Sequence, residues 1–139
     1  MRQVDARTGI VMMDRDECLA AIAGEHVGRL AVVHGGSPMI YPINFVVDRD
    51  EILFRSDPGT KVDAGLRSPV CFEVDHLEPS AQEGWSVVVT GRLEEALPHR
   101  QEAWQRILAL PLESWAGPKQ QLFRIVPDRV TGRRVGPSA

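Results

Sequence analysis

Basic excess is the first thing this chain lacks: 16 lysines and arginines stand against 19 aspartates and glutamates, a formal net charge of −3 over 139 residues. A nucleic-acid groove or an anionic membrane surface calls for a cationic footprint, so neither is an expected partner. Cysteine is also scarce. The two present, Cys18 and Cys71, form neither a disulfide framework nor a paired-cysteine metal or redox motif. Both read as small hydrophobes buried in a helix-like and a strand-like stretch. Met1 to Ile10 mixes Arg2, Asp5 and Arg7 with polar residues and lacks the apolar run of a signal peptide, and no later stretch approaches a membrane span. A cytoplasmic location is the expectation.

The familiar catalytic signatures are missing as well. Gly84-Trp85-Ser86-Val87-Val88 lacks the second glycine of a nucleophile elbow and sits in a strand-like run. The four histidines, His26, His34, His76 and His99, are scattered without metal-ligand spacing, so no metal site is expected. Gly35-Gly36 lies between two strand-like runs rather than before a helix, which makes it a hairpin and not a phosphate loop.

What is present is enough apolar residue, 43%, to pack one core without disulfides or metals. The reading is a single domain over residues 1–139, organised from about residue 14 to 135. Asp14 and Glu17 make a capping box for a first helix carrying Cys18, Leu19 and Ile22, which stops at Gly24. Strand-like runs follow at Val27 to Val33, Met39 to Val47 and Glu51 to Ser56, expected as a three-stranded meander. After the Asp57-Pro58-Gly59 loop come a helix from Thr60 to Arg67 and a strand from Val70 to Val74. A polar loop is expected over His76 to Gly84, then a long strand over Trp85 to Glu95 with its β-branched Val87-Val88-Val89-Thr90. A helix from Arg100 to Leu110, with Trp104, Ile107 and Leu108 on one face, leads through a loop to two last strands, Gln121 to Val126 and Val130 to Val135, divided by Pro127-Asp128. Strands dominate, so the chain reads as mainly β with peripheral helices, an α+β antiparallel barrel.

Three features invite a ligand. Lys61 falls in the first turn of the helix that begins near Thr60, where the dipole disfavours a cation. A phosphate there would gather Lys61, Arg55, the hydroxyls of Ser56 and Thr60, and the helix N–H groups onto one dianion. The alternative is that Lys61 and Arg55 extend into solvent or pair with Asp57 and Asp63. Pro42 interrupts the strong strand Met39 to Val47, so that backbone groups beside it are free for a flat heterocycle, or else the strand is simply an edge or bulge. Alternation puts Met39, Tyr41, Ile43, Phe45 and Val47 toward the core and Asn44 away from it. Trp85 and Trp115 are placed to cover a ring or a partner subunit. Thr131-Gly132-Arg133-Arg134 concentrates charge on an otherwise apolar strand, suiting either an anion or a solvated edge.

In order, Val27-Gly28-Arg29-Leu30-Ala31, Pro42-Ile43-Asn44-Phe45, Gly59-Thr60-Lys61, Phe72-Glu73-Val74-Asp75, Gly84-Trp85-Ser86-Val87 and Thr131-Gly132-Arg133-Arg134 resemble the pyridoxamine 5'-phosphate oxidase-like group of split β-barrel flavoproteins. The resemblance implies an antiparallel split β-barrel forming a homodimer, with FMN between the subunits or, in some relatives, a deazaflavin or haem. It implies that Tyr41, Pro42, Ile43 and Asn44 line the isoalloxazine ring. Phe54, Arg55, Ser56, Thr60 and Lys61 would hold the phosphate, and the segments around Trp85, Trp115 and Arg133 would approach in part from the second subunit. The C-terminal arginine-x-histidine pair of the true oxidases is absent, since the end reads Gly132-Arg133-Arg134-Val135-Gly136. The implied activity is an FMN-dependent oxidoreductase acting on another small molecule; the rivals are a flavin or haem carrier without turnover, and an interaction module that has lost its cofactor.

Overall fold

The computed structural model describes residues 4–57, 59–96, 105 and 121–136. Of the helix expected over Arg100 to Leu110 only residue 105, which is helical, is described; the loop after it and Trp115 lie outside the described residues.

The elements run β1 (Val11–Met13), α1 (Arg15–Ala23), β2 (Val27–His34), β3 (Ser37–Asn44), β4 (Val46–Asp48), β5 (Glu51–Ser56), α2 (Thr60–Arg67), β6 (Val70–Glu78), a 3-10 turn (Pro79–Ala81), β7 (Glu83–Glu95) and β8 (Gln121–Val135). They build one antiparallel sheet in the order β3-β2-β6-β7-β8-β5-β4, with β1 added along β8. The sheet curls around its core as a split β-barrel. The Asp14 side chain caps α1 by accepting from the Glu17 N–H at 2.8 Å, and Cys18, Leu19 and Ile22 are its buried residues. Two tight turns carry the left-handed residues that such hairpins require: Gly35 and Gly36 between β2 and β3, and Arg49 and Asp50 between β4 and β5.

Four expectations are corrected. The run Met39 to Val47 is two strands broken at Phe45, whose N–H donates to the His26 carbonyl at 3.0 Å. β3 and β4 therefore end at opposite edges of the sheet, and no meander joins β2, β3 and β5. The polar stretch His76 to Gly84 is the tip of a hairpin, because β6 and β7 stay paired out to Glu78 and Glu83. Pro127-Asp128 does not end a strand. Gly91 faces Pro127 while Thr90 faces Arg129, so Asp128 is the extra residue of a bulge in a continuous β8, a place where a residue without an N–H is tolerated. Gly91 is small because a β-carbon there would collide with the Val126 carbonyl. Finally Cys71 is exposed on the outer side of β6, whereas Cys18 is buried as expected.

The inner face of the sheet is continuous and apolar. Leu30 and Val32 of β2, Ile43 of β3, Ile52 and Phe54 of β5, Phe72 and Val74 of β6, Val87 and Val89 of β7 and Ile125 of β8 form the core with α1 and α2 residues Cys18, Ile22 and Val62. Phe45 meets Phe72 edge-on with centroids 5.0 Å apart. Gly28 leaves the room that the Phe72 ring fills, since a β-carbon there would overlap it. A smaller cluster, Val46, Leu53 and Leu122, lies on the opposite face of β4, β5 and β8.

Candidate functional site

α2 is built differently from α1 at the end where a helix presents unpaired N–H groups. Its cap residue is Gly59, in extended backbone, and no side chain closes the cap. Its first turn holds Lys61 and Asp63, and the rest of the helix turns Val62, Ala64 and Gly65 into the core. Gly65 packs closely on the Leu93 side chain, bringing the helix against β7. Lys61 is half-buried, and its Nζ lies 5.7 Å from the centroid of the Tyr41 ring. The structure thus joins two residues separated by two strands in the sequence.

β3 is an edge strand, and its ladder with β2 runs through Arg29 and Pro42 without a register shift. The proline's missing N–H is accommodated as an edge strand allows. Cross-strand partners share a face, so Tyr41 and Ile43 follow Leu30 and Gly28 inward, while Pro42 and Asn44 follow Arg29 and Val27 outward. Ile43 is buried, and Tyr41 and Val47 are partly buried against the core, but Met39 is exposed. A ring meeting all of Tyr41, Pro42, Ile43 and Asn44 would have to lie along the strand's free edge.

The expected phosphate group divides in the same way. Phe54 is fully buried and stacks on Phe123 with centroids 5.9 Å apart, so it can serve a ligand through its backbone alone. Ser56 is 2% exposed, and its hydroxyl donates to the Asp57 carbonyl at 3.0 Å. Arg55 points to the other face of β5, opposite Leu122. Thr60 is exposed at the start of α2. Trp85 is half-buried with its ring stacked on His76 at 6.5 Å, and Arg133 is exposed across from Ser86 and Met12. Within the chain these last two belong to β7 and β8, the third and fourth strands from β3 in the sheet order. Among the described residues no group of three or more histidine, cysteine or acidic side chains could hold a metal ion.

One polar cluster escaped the sequence reading. On the outer face, Arg29 Nη1 lies 3.7 Å from Glu73 Oε1 and 3.9 Å from Asp75 Oδ2. Burial, reinforced by the hydrogen bond and charge of Asp75, pushes the Glu73 carboxyl up to about 7 against the pull of Arg29. The two acids at alternate positions of β6 were visible in the sequence, but the β2 to β6 pairing that brings Arg29 beside them is non-local. Near the hairpin tip, His76 donates to Glu78 Oε1 at 2.9 Å and lies 3.7 Å from Glu25, and the bond to Glu78 first, then these charges, raise its imidazole pKa.

Known proteins share this arrangement of strands and helices. The family model for pyridoxamine 5'-phosphate oxidase matches residues 14–134. This chain belongs to the pyridoxamine 5'-phosphate oxidase family. An uncharacterised protein of Mycobacterium tuberculosis is 33% identical over 132 residues, which cover 91% of this chain and 86% of the relative. The FAD binding protein from Mycobacterium smegmatis is 32% identical, with a TM-score of 0.74 over 89% of this chain and 98% of its own. An FAD-binding protein from Mesorhizobium loti is 26% identical, with a TM-score of 0.78 over 90% of this chain and 96% of its own. The two solved structures share this fold over nearly their whole length. Among the described residues of this one, no helix is long and apolar enough to cross a membrane.

Proposed function

We propose that this chain is a flavin-dependent oxidoreductase that grips FMN by its phosphate at the start of α2, in a homodimer whose second copy completes the site. The observation that carries the reading is the α2 start: no side-chain cap, and a first-turn Lys61 held over Tyr41. The dipole disfavours a cation there, and an external anion reverses that preference by meeting both the lysine and the N–H groups. Two solved relatives named as FAD binding support a flavin, and FMN and FAD share the phosphate next to the ribityl chain. When bound, the flavin supplies the redox chemistry at its ring. The chain's residues bind and orient it: Lys61 and Thr60 at the phosphate, and the free edge of β3 at Pro42 beside the ring. A small-molecule substrate would reach the ring's open face.

The second copy is proposed from two further observations. The outer face exposes the apolar side chains Val27, Val33, Ile40, Leu77 and Val88 around the Arg29, Glu73 and Asp75 cluster, with Ile40 at 68% and Leu77 at 62%, a mixture that suits a partner subunit. Trp85 and Arg133 stand on β7 and β8, apart from β3 in the sheet order, and two-fold symmetry can bring the same segments toward the site from a partner.

The test is a set of titrations of FMN, FAD and riboflavin against the wild type and Lys61→Ala, with circular dichroism verifying the fold. A charge-assisted hydrogen bond contributes about 1.5–3 kcal/mol, so Lys61→Ala should weaken FMN by roughly 10- to 100-fold and leave riboflavin unchanged. Equal FMN affinities for the two proteins would remove Lys61 from the site. An equal loss for FMN and riboflavin would move it from the phosphate to the ring.

A further inference from the structure

We infer that the second copy docks on the outer face about a two-fold axis running along β7, so that Arg133 of each protomer pairs with the partner's Asp75. The inference rests on the homodimer reading and gives it a surface and a set of contacts.

The register of the ladder carries it. Three rows of outward-facing residues cross β6, β7 and β8 in turn: Leu77, Gly84 and Val135; Asp75, Ser86 and Arg133; Glu73, Val88 and Thr131. β7 is the middle strand of every row. A half-turn about it therefore exchanges the two ends of each row between the protomers and keeps the rows level, with strands aligned as in an ordinary sheet sandwich. In the first row Leu77, 62% exposed, meets the partner's Val135, and in this chain Val135 is exposed as well. The second row sets the Asp75 carboxylate against a guanidinium. In the third, the exposed Val88 meets its own copy, and Glu73 meets a threonine hydroxyl in place of a cation. That suits a carboxyl which burial above all pushes up to about 7. Apolar ends meet apolar ends and charge meets opposite charge under one rotation, which is the self-complementarity that a two-fold contact needs.

The acid cluster is also short of a cation within the protomer. Arg29 Nη1 lies 3.7 Å from Glu73 and 3.9 Å from Asp75, so two carboxyls share one guanidinium. Arg133 of the second copy supplies another. The same half-turn lays the partner's β8 over β6, the second strand from β3 in the sheet order, on the side of the proposed flavin edge.

The test is a charge exchange read by sedimentation velocity at a concentration where the wild type is dimeric, with circular dichroism verifying each fold. Arg133→Asp sets aspartate against aspartate at both contacts, and Asp75→Arg sets arginine against arginine. Each alone should raise the dimer dissociation constant about 10- to 100-fold. Mixed in equal amounts, the two variants pair oppositely at both contacts and should recover the wild-type dimer. Asp75→Lys replaces Asp75→Arg if the latter melts early beside Arg29. Val88→Lys faces its own copy on the axis and should weaken the dimer by a similar factor. Single variants that dimerise as well as the wild type would overturn the inference and leave the homodimer reading standing. So would weakened variants whose mixture stays monomeric. A wild type that is monomeric at every concentration would instead sink the homodimer reading itself.

Discussion

The two helices solve the same problem in opposite ways. α1 begins with Asp14, whose carboxylate accepts from the Glu17 N–H, and follows it with Asp16 and Glu17, so its positive end is met from within the chain. α2 begins at Gly59 with no side-chain cap and carries Lys61 in its first turn. The α1 start is closed by its own carboxylate; the α2 start is where we propose that a flavin phosphate docks. Both helices carry a cation in the first turn, Arg15 and Lys61, but only α1 has a side-chain carboxylate at its cap.

The largest effect should come from making the second helix resemble the first. Position 59 has open space around it and extended backbone that any residue adopts. An aspartate there supplies the missing carboxylate and repels a phosphate. Gly59→Asp should stabilise the ligand-free protein by roughly a few tenths of a kcal/mol while weakening FMN about 10- to 100-fold. Unchanged FMN affinity in that variant would break the comparison. The converse substitution, Asp14→Ala, should destabilise the fold by about 0.5–2 kcal/mol and leave the ratio of riboflavin to FMN dissociation constants alone; chemical denaturation and titration together check it.

The smallest effect lies away from both helix starts. The Glu73 carboxyl is raised from its ordinary 4.5 to about 7, so the folded state favours its protonated form. Its contribution is therefore full below about 4.5 and is lost as pH rises through about 7. Glu73→Gln should flatten that part of the melting-temperature profile and exceed the wild type above neutral pH. The gain is modest because the side chain keeps contact with solvent. Parallel profiles for the two proteins would show that the outer-face cluster does not act on stability.

Local chemistry was legible in the sequence and long-range pairing was not. The capping box at Asp14 and Glu17 gave α1, and the loop before Thr60 gave α2, because both signals lie within a few residues. The break at Phe45 was hidden because an apolar run reads alike whether the chain stays in one strand or crosses to another edge. Pro127 looked like a stop because its bulge depends on Gly91 in a different strand. β1 was missed, as three residues carry almost no pattern without β8 beside them. At the site, Lys61 was singled out for the conflict with its helix, but its contact with Tyr41 needed the fold. Strand alternation buries the Phe54 and Ser56 side chains and turns Arg55 to the other face of β5, which a run of residues read along the chain does not display.

The most direct measurement is sedimentation velocity of the protein mixed with FMN, followed at the flavin's visible absorption band. Flavin should sediment with a species of twice the 15.4 kDa chain mass, and Lys61→Ala at the same concentrations should release it while the protein stays dimeric. Flavin that remains at the meniscus, or that travels with a single 15.4 kDa chain, would contradict it.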